Sequence, residues 1–209
     1  MILKAKVYNK VFAFKDLKEV MAKANEEKSG DVLVGIAAES ASERVAAKLV
    51  LSNLTLEDIY NNPVIPYEED EVTRVIYDGL NMTIYKEIKS WTVGQLREYI
   101  LDHKTTGNDI SRISRGLTSE MIAAVAKLMS SIDLVYGAKK MRHQARCNTT
   151  IGIPGTLAFR NQPNHPTDSV EGIMSSIKEG LTYGSGDAVI GINPVEDNVE
   201  TVARLLTTV

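Results

Sequence analysis

The chain lacks most of the features that assign a function by composition. It has one cysteine, Cys147, which excludes an internal disulfide framework and fits a reducing compartment. Neither sign of charge is in excess: 24 Lys and Arg stand against 27 Asp and Glu, a net charge of -3, mixed along the chain rather than in blocks. That balance argues against nucleic acid or an anionic membrane surface as the main partner. No apolar run approaches the ~20 residues of a membrane span, and residues 1–8 lack the apolar core of a secretory signal. Repeats and low-complexity segments are missing, as are CxxC and HExxH motifs. A soluble, cytoplasmic chain is expected. Its 209 residues are enough for one or two domains with a sizeable core.

What is present begins with helices. Residues 1–14 alternate in places (Val7, Val11, Phe12, Phe14), as a strand or hairpin does. A helix is expected from Asp16, where Asp16 and Glu19 form a capping pair and Leu17, Val20, Met21 and Ala24 share a face; Lys28-Ser29-Gly30 would end it. Ser40 with Glu43 and Thr55 with Asp58 repeat the capping signature, the second helix being stopped by Asn61-Asn62-Pro63. The acidic run 66–70 (P-Y-E-E-D) precedes Val72, Val75 and Ile76. Adjacent side chains do not converge on a helix, so these carboxylates read as complements to a helix dipole rather than as a metal site. Further helices are expected over 82–89, 93–101 (Thr92 with Gln95 as cap), 108–115 and 119–131. The last carries Met121, Ile122, Val125, Leu128 and Met129 on an apolar face, with Met as core filler.

The pattern changes at Cys147. Residues 149–153 are β-branched-rich and residues 188–192 are a short apolar run, so both read as strands. Between them Asp168 with Glu171 would cap a helix bearing Val170, Ile173, Met174, Ile177 and Leu181. Strand, helix, strand is a βαβ unit with parallel strands. A final helix, capped by Asp197 with Glu200, would bury Val199, Val202, Ala203 and Leu206. Polar groups past the carboxyl ends of parallel strands face the site in such architectures. Arg160 and Gln162, two residues apart, share a face if extended, and Asn193 with Pro194 follows the second strand. Taken alone, Arg160 reads equally as a surface ion pair and Asn193-Pro194 as a turn. Gly184-Ser185-Gly186 precedes a strand and so is a turn, not a phosphate loop. His143 and Cys147 give two ligands where zinc needs three or four. His103 and His165 lie in polar loops.

Several of these stretches carry a resemblance. N-T-T-I-G-I-P-G (148–155), R-x-Q-P-N (160–164) and G-D-A-V-I-G-x-N-P-V (186–195) resemble the large subunit of ethanolamine ammonia-lyase. The similarity extends through G-L-T-S-E (116–120), Y-G-A-K-K (136–140) and S-G-D-V-L-x-G (29–35), so it covers essentially the whole chain. The departures are Ala158, Phe159 and Asn161, where the family pattern is closer to S-A-R-L-Q-P-N, and His143 and Cys147, which it lacks. Asn161 faces opposite to Arg160, and a buried Asn needs partners or costs about 1–3 kcal/mol.

The resemblance implies an α/β fold: a mainly helical region over 1–146, then over 147–209 the first two βα units of an incomplete TIM (β/α)8 barrel. It implies adenosylcobalamin-dependent conversion of ethanolamine to acetaldehyde and ammonia by a radical mechanism. Arg160 would be the catalytic cation on the substrate hydroxyl. Asn161, Gln162 and Asn193 would join Arg160 in binding substrate, Gln162 accepting from the amine, and Pro194 would lie against the cofactor. No cobalt-ligating Asp-x-His-x-x-Gly motif is present, which matches a cobalamin that keeps its own base. Partners would be the small subunit and further large subunits, with no nucleic acid and no membrane, in a bacterial microcompartment. Eight βα pairs need ~250 residues, so the chain is expected to be part of a longer protein and inactive alone. A noncatalytic assembly module from the same subunit is the alternative reading. A helical domain with an unrelated βαβ tail is a third.

Overall fold

The computed structural model describes residues 3–141, 143–146, 150–185 and 189–209. The chain divides into two compact units, Met1–Met141 and Arg142–Val209.

The first unit opens with a hairpin, β1 (Lys4–Val7) against β2 (Lys10–Ala13), antiparallel with Val7 opposite Lys10. Its turn is tight, and Tyr8 takes φ 53°. Ten helices follow among the described residues of this unit. They are α1 (Leu17–Lys23), α2 (Ser29–Leu33), α3 (Ala41–Asn53), α4 (Leu56–Tyr60) and α5 (Glu71–Asp78), then α6 (Met82–Ile88), α7 (Val93–Leu101), α8 (Gly107–Ser114), α9 (Ser119–Lys127) and α10 (Ser131–Lys140). Most start where a short polar side chain accepts from the third following N–H. Asp16 accepts from Glu19, Ser40 from Glu43, and Thr55 and Thr92 close full capping boxes with Asp58 and Gln95. The last two starts are clasped together, Leu56 N–H donating to Trp91 at 2.9 Å and Val93 N–H to Leu54 at 2.9 Å. Inside lies one core in which Leu51, Leu56, Ile59, Leu96 and Met121 are fully buried. Each such side chain contributes roughly 1.5–3 kcal/mol by leaving water.

Three expectations for this unit are corrected. Ser29-Gly30 does not end the first helix, which stops at Lys23; these residues open α2. The pattern expected over 119–131 is two helices, because the Ser130–Asp133 capping box restarts the chain as α10. Ile122 of the expected apolar face is exposed while Met121 and Val125 are buried. On α5, Val72 and Val75 are exposed and Thr73 is the buried residue. Of the acidic run, Asp70 is the N-cap of α5, accepting from Thr73 at 2.7 Å. Arg74 folds back to donate to the carbonyls of Tyr67 and Glu68.

The second unit is a mixed α/β arrangement around a smaller core. β3 (Ala145–Arg146) pairs antiparallel with β4 (Thr150–Ile151). The first parallel strand expected over 149–153 is therefore corrected: its described part belongs to an antiparallel pair. The parallel partner of the second run is Asn161, bridged to Ile190. Asn161 N–H donates to Val189 at 3.1 Å, and its carbonyl accepts from Gly191 N–H at 2.8 Å. Local chemistry explains the shift. Gly152 at φ 94° and Gly155 at φ 75° bend the chain out of the apolar run before it can extend. Cys147, Asn148 and Thr149, like Gly186, Asp187 and Ala188, lie outside the described residues.

Helix α11 (Val170–Thr182) joins the two bridged stretches, and α12 (Val199–Thr208) follows the second. Ile173 and Ile177 of α11 and Leu205 of α12 are buried together, with Val170, Met174, Ile190 and Ile192 packed on them. The face expected for α12 is thus rotated: Val199 and Leu206 are exposed, and Thr201 and Leu205 are buried. The helix starts also move by one residue. Ser169 caps α11 and Asn198 caps α12, in place of Asp168 and Asp197. No described helix is long and apolar enough to cross a membrane.

Candidate functional site

The Asn161–Ile190 bridge fixes which side chains share a face. Ile190 and Ile192 pack toward the helices, so strand alternation sends Gly191 and Asn193 to the other side. Asn161 likewise points at α11, where its Nδ2 donates to the Ile177 carbonyl at 3.3 Å. It fits because residue 180 is glycine: a Cβ there would stand 2.2 Å from Asn161 Nδ2. The amide is half-buried and has its partner, so the cost of an unsatisfied Asn does not arise. Expected in the substrate-binding set, Asn161 has its side chain on the helix-packing face.

Its neighbours go the other way. Arg160 and Gln162 are exposed on the face opposite the helices, and the Arg160 guanidinium donates to the Gln162 side-chain carbonyl. The stem and head of Arg160 lie across Gly191, where an added Cβ would be 3.2 Å from Cδ and 3.4 Å from Nε. Asn193 is exposed and Pro194 half-buried at the end of this stretch. Arg160, Gln162, Gly191 and Asn193 therefore occupy one side of the pairing. The face offers a cation and two amides, with Pro194 at the end of the stretch. It suits a small molecule with a hydroxyl or developing oxyanion, and it offers an ammonium only amide carbonyls.

Asp168 and Glu196 also stand at this end of the unit. Asp168 is buried and left-handed, with φ 51°. Its carboxylate accepts from the backbone N–H of Val195 and of Glu196, each at 2.9 Å. Those two N–H groups hold its pKa below the ordinary carboxylate value. Glu196 accepts from Asn198 and Thr201. His165 is half-buried, its Nδ1 facing the N–H groups of Thr167 and Ser169 at 3.3 and 3.4 Å. The Gly191 lane and the Asp168 clasp carry no sequence signal of their own. Among the described residues, no three His, Cys, Asp or Glu side chains gather as a metal site. Cys147, four residues after His143, lies outside those residues, as does Asp187.

Parallel strand pairing through a helix, with polar groups on the face away from it, defines an α/β unit. Residues 12–209 match the family model described as ethanolamine ammonia lyase large subunit (EutB). The ethanolamine ammonia-lyase large subunit of Escherichia coli strain K12 is 56% identical over 209 residues, all of this chain and 46% of that protein. The same subunit of Salmonella typhimurium strain LT2 is 57% identical over the same span, again 46% of its length. The chain belongs to the ethanolamine ammonia-lyase large-subunit family. It spans about half the length of the curated relatives it matches.

Proposed function

We propose that this chain carries the first part of the substrate site of an adenosylcobalamin-dependent ethanolamine ammonia-lyase. In this reading the two bridged stretches, with α11 and α12, are the opening βα units of a TIM barrel. The observation that carries it is the face shared by Arg160, Gln162, Gly191 and Asn193, opposite α11, in a member of this family.

Charge orients the substrate. The guanidinium attracts the hydroxyl end of ethanolamine and repels its ammonium. A reversed substrate would set two cations ~4 Å apart, a repulsion of about 4 kcal/mol at an effective dielectric of ~20. Arg160 thus holds the oxygen and stabilises charge that grows on it, and Asn193 donates to the same atom. Gln162 is already steered by Arg160; its carbonyl has a second lone pair with which to accept from the amine. A proline ring offers the cofactor apolar contact, and His165 turns its Nδ1 to the Thr167 and Ser169 N–H groups. Pro194 would meet the corrin side of the site. When bound, adenosylcobalamin supplies the radical that takes a hydrogen atom from substrate and later returns one.

The small subunit and further copies of the large subunit are the proposed partners, with a microcompartment as the setting. The exposed Leu33, Ile132 and Val135 of the helical unit offer apolar surface for such contacts. The test is kinetic. In a complete large subunit carrying this segment, assembled with the small subunit, Arg160→Ala is expected to cut kcat by about 10²–10³, the size of losing one preorganised donor. Near-normal turnover would remove Arg160 from the chemistry.

A further inference from the structure

The Asp168 carboxylate spans two loops that the chain places 27 residues apart. It sits at the end of the loop that begins with Gln162, and it is bound by the N–H groups of Val195 and Glu196 in the loop that begins with Asn193. Burial, a left-handed backbone and three contacts at 2.9 Å leave it little freedom. Helix capping does not account for it, since Ser169 performs that role for α11. The Val195 N–H belongs to the residue directly after Pro194, so the carboxylate grips the Asn193-Pro194 turn from behind.

We propose that Asp168 is a positioning residue that sets Asn193 and Pro194 against Arg160 and Gln162. The inference rests on the substrate-site reading above and deepens it. A buried carboxylate that receives backbone N–H groups is a strong and directional anchor. Among the described residues the two bridged stretches meet at one pair, Asn161 with Ile190, and that pair lies before the loops that carry Asn193 and Asp168.

Asp168→Asn is the informative variant, because Asn tolerates φ 51° as Asp does. It keeps one accepting oxygen and presents an NH2 where a second N–H must be received. In the complete enzyme, kcat/KM for ethanolamine should fall, approaching the ~100-fold loss that a ~1 Å misplacement brings. A double-mutant cycle separates positioning from mere stability. Once Asn193 is replaced by Ala, Asp168→Asn should add little further loss, whereas with Arg160→Ala the two losses should multiply. Amide hydrogen exchange on the same protein without cofactor should show Val195 and Glu196 protected in the parent and exposed in the variant. Unchanged kcat/KM, full multiplication with Asn193→Ala, or failure of the variant to assemble would each overturn the proposal. If Asn193→Ala itself is harmless, the substrate-site reading fails first. If Asn193→Ala is damaging and Asp168→Asn is not, only the positioning role fails.

Discussion

The Arg160 side chain lies across Gly191, close enough that a Cβ on residue 191 would stand 3.2 Å from its Cδ. The position of the guanidinium therefore depends on the lack of a side chain on the neighbouring stretch. Gly191→Ala asks an exposed, flexible arginine to move a few tenths of an ångström, and stability should hardly change. Gly191→Val fills the lane. In the complete enzyme it should lower kcat/KM by at least about tenfold through Arg160, while urea unfolding stays within about 1 kcal/mol of the parent. Equal kinetics for Gly191→Val and the parent would show that Arg160 needs no such lane.

Asn161 and Gly180 are matched in the same way on the helix side. A methyl on residue 180 would overlap the Asn161 amide at 2.2 Å, and that amide is held by the Ile177 carbonyl. Gly180→Ala should destabilise the second unit by ~1–3 kcal/mol, the usual cost of overpacking. Asn161→Ala removes the obstruction, so the double variant should be more stable than Gly180→Ala alone. Chemical unfolding of the three proteins decides it.

What the sequence disclosed was largely what closes over three or four residues. The caps at Asp16, Ser40, Thr55 and Thr92 are local hydrogen bonds, and each stands where its signature lies. The opposite side assignments of Arg160 and Asn161 follow from alternation and hold in the structure. Pairing was not legible. Thr150–Ile151 and Asn161 were both eligible to lie beside Ile190, and glycines at 152 and 155 decided against the more β-branched one. Helix faces failed for a related reason. The sequence of α12 permits a stripe through Val199 and Leu206, but the isoleucines it meets select Leu205. At Asp168 the capping signature cannot reveal that the carboxylate is taken by N–H groups far along the chain.

Glu120 gives the first unit a distinctive pH response. One oxygen accepts from Val64 N–H at 2.8 Å, while the other is buried with no partner among the described residues. Burial raises its pKa above the ordinary 4.5, and the Val64 N–H opposes that only in part. The same burial, with the Glu120 charge second, pushes the Tyr77 phenol up to about 12. A carboxyl whose pKa is raised by folding binds its proton more readily in the folded state, so its penalty is fully present at neutral pH. The penalty is relieved as pH falls through the raised value and is gone below 4.5, where both states are protonated. Glu120→Gln keeps an acceptor for Val64 and removes the charge. It should be more stable than the parent at pH 7, by less than about 1 kcal/mol because the group is only half-buried, and the advantage should shrink toward pH 4.5. A gap that widens on acidification would contradict this.

Exposed apolar side chains on the second unit should make the 209-residue chain associate. Leu157 is 83% exposed, Phe159 65% and Val199 87%, beside a pairing of two short stretches. Apolar patches and short open strand edges both template contact between copies. Light scattering should show mass rising with concentration. Phe159→Ala, the residue of the family pattern at that position, should lessen the rise. A monodisperse monomer at high concentration would contradict the expectation.

The ammonium of ethanolamine sets the last expectation. A bound ammonium needs an anion or several carbonyls in place of its water, and a desolvated cation without them costs several kcal/mol. The face described here carries the Arg160 cation and two amides. Of the acidic residues at this end, Asp168 is engaged with two backbone N–H groups and Glu196 with Asn198 and Thr201. Carboxylates for the amine would have to come from the part of the large subunit beyond the 46% that this chain matches. The 209-residue chain alone should therefore form no acetaldehyde from ethanolamine, even with adenosylcobalamin and the small subunit supplied. Supplying the remainder of the large subunit, in one chain or as a second polypeptide, should bring activity back. Arg160→Ala should abolish most of that restored activity, whereas Glu196→Gln, whose oxygens serve the start of α12, should spare it. Turnover by the bare chain would mean that the amine finds its anion among residues already present, and that the site is not divided in this way.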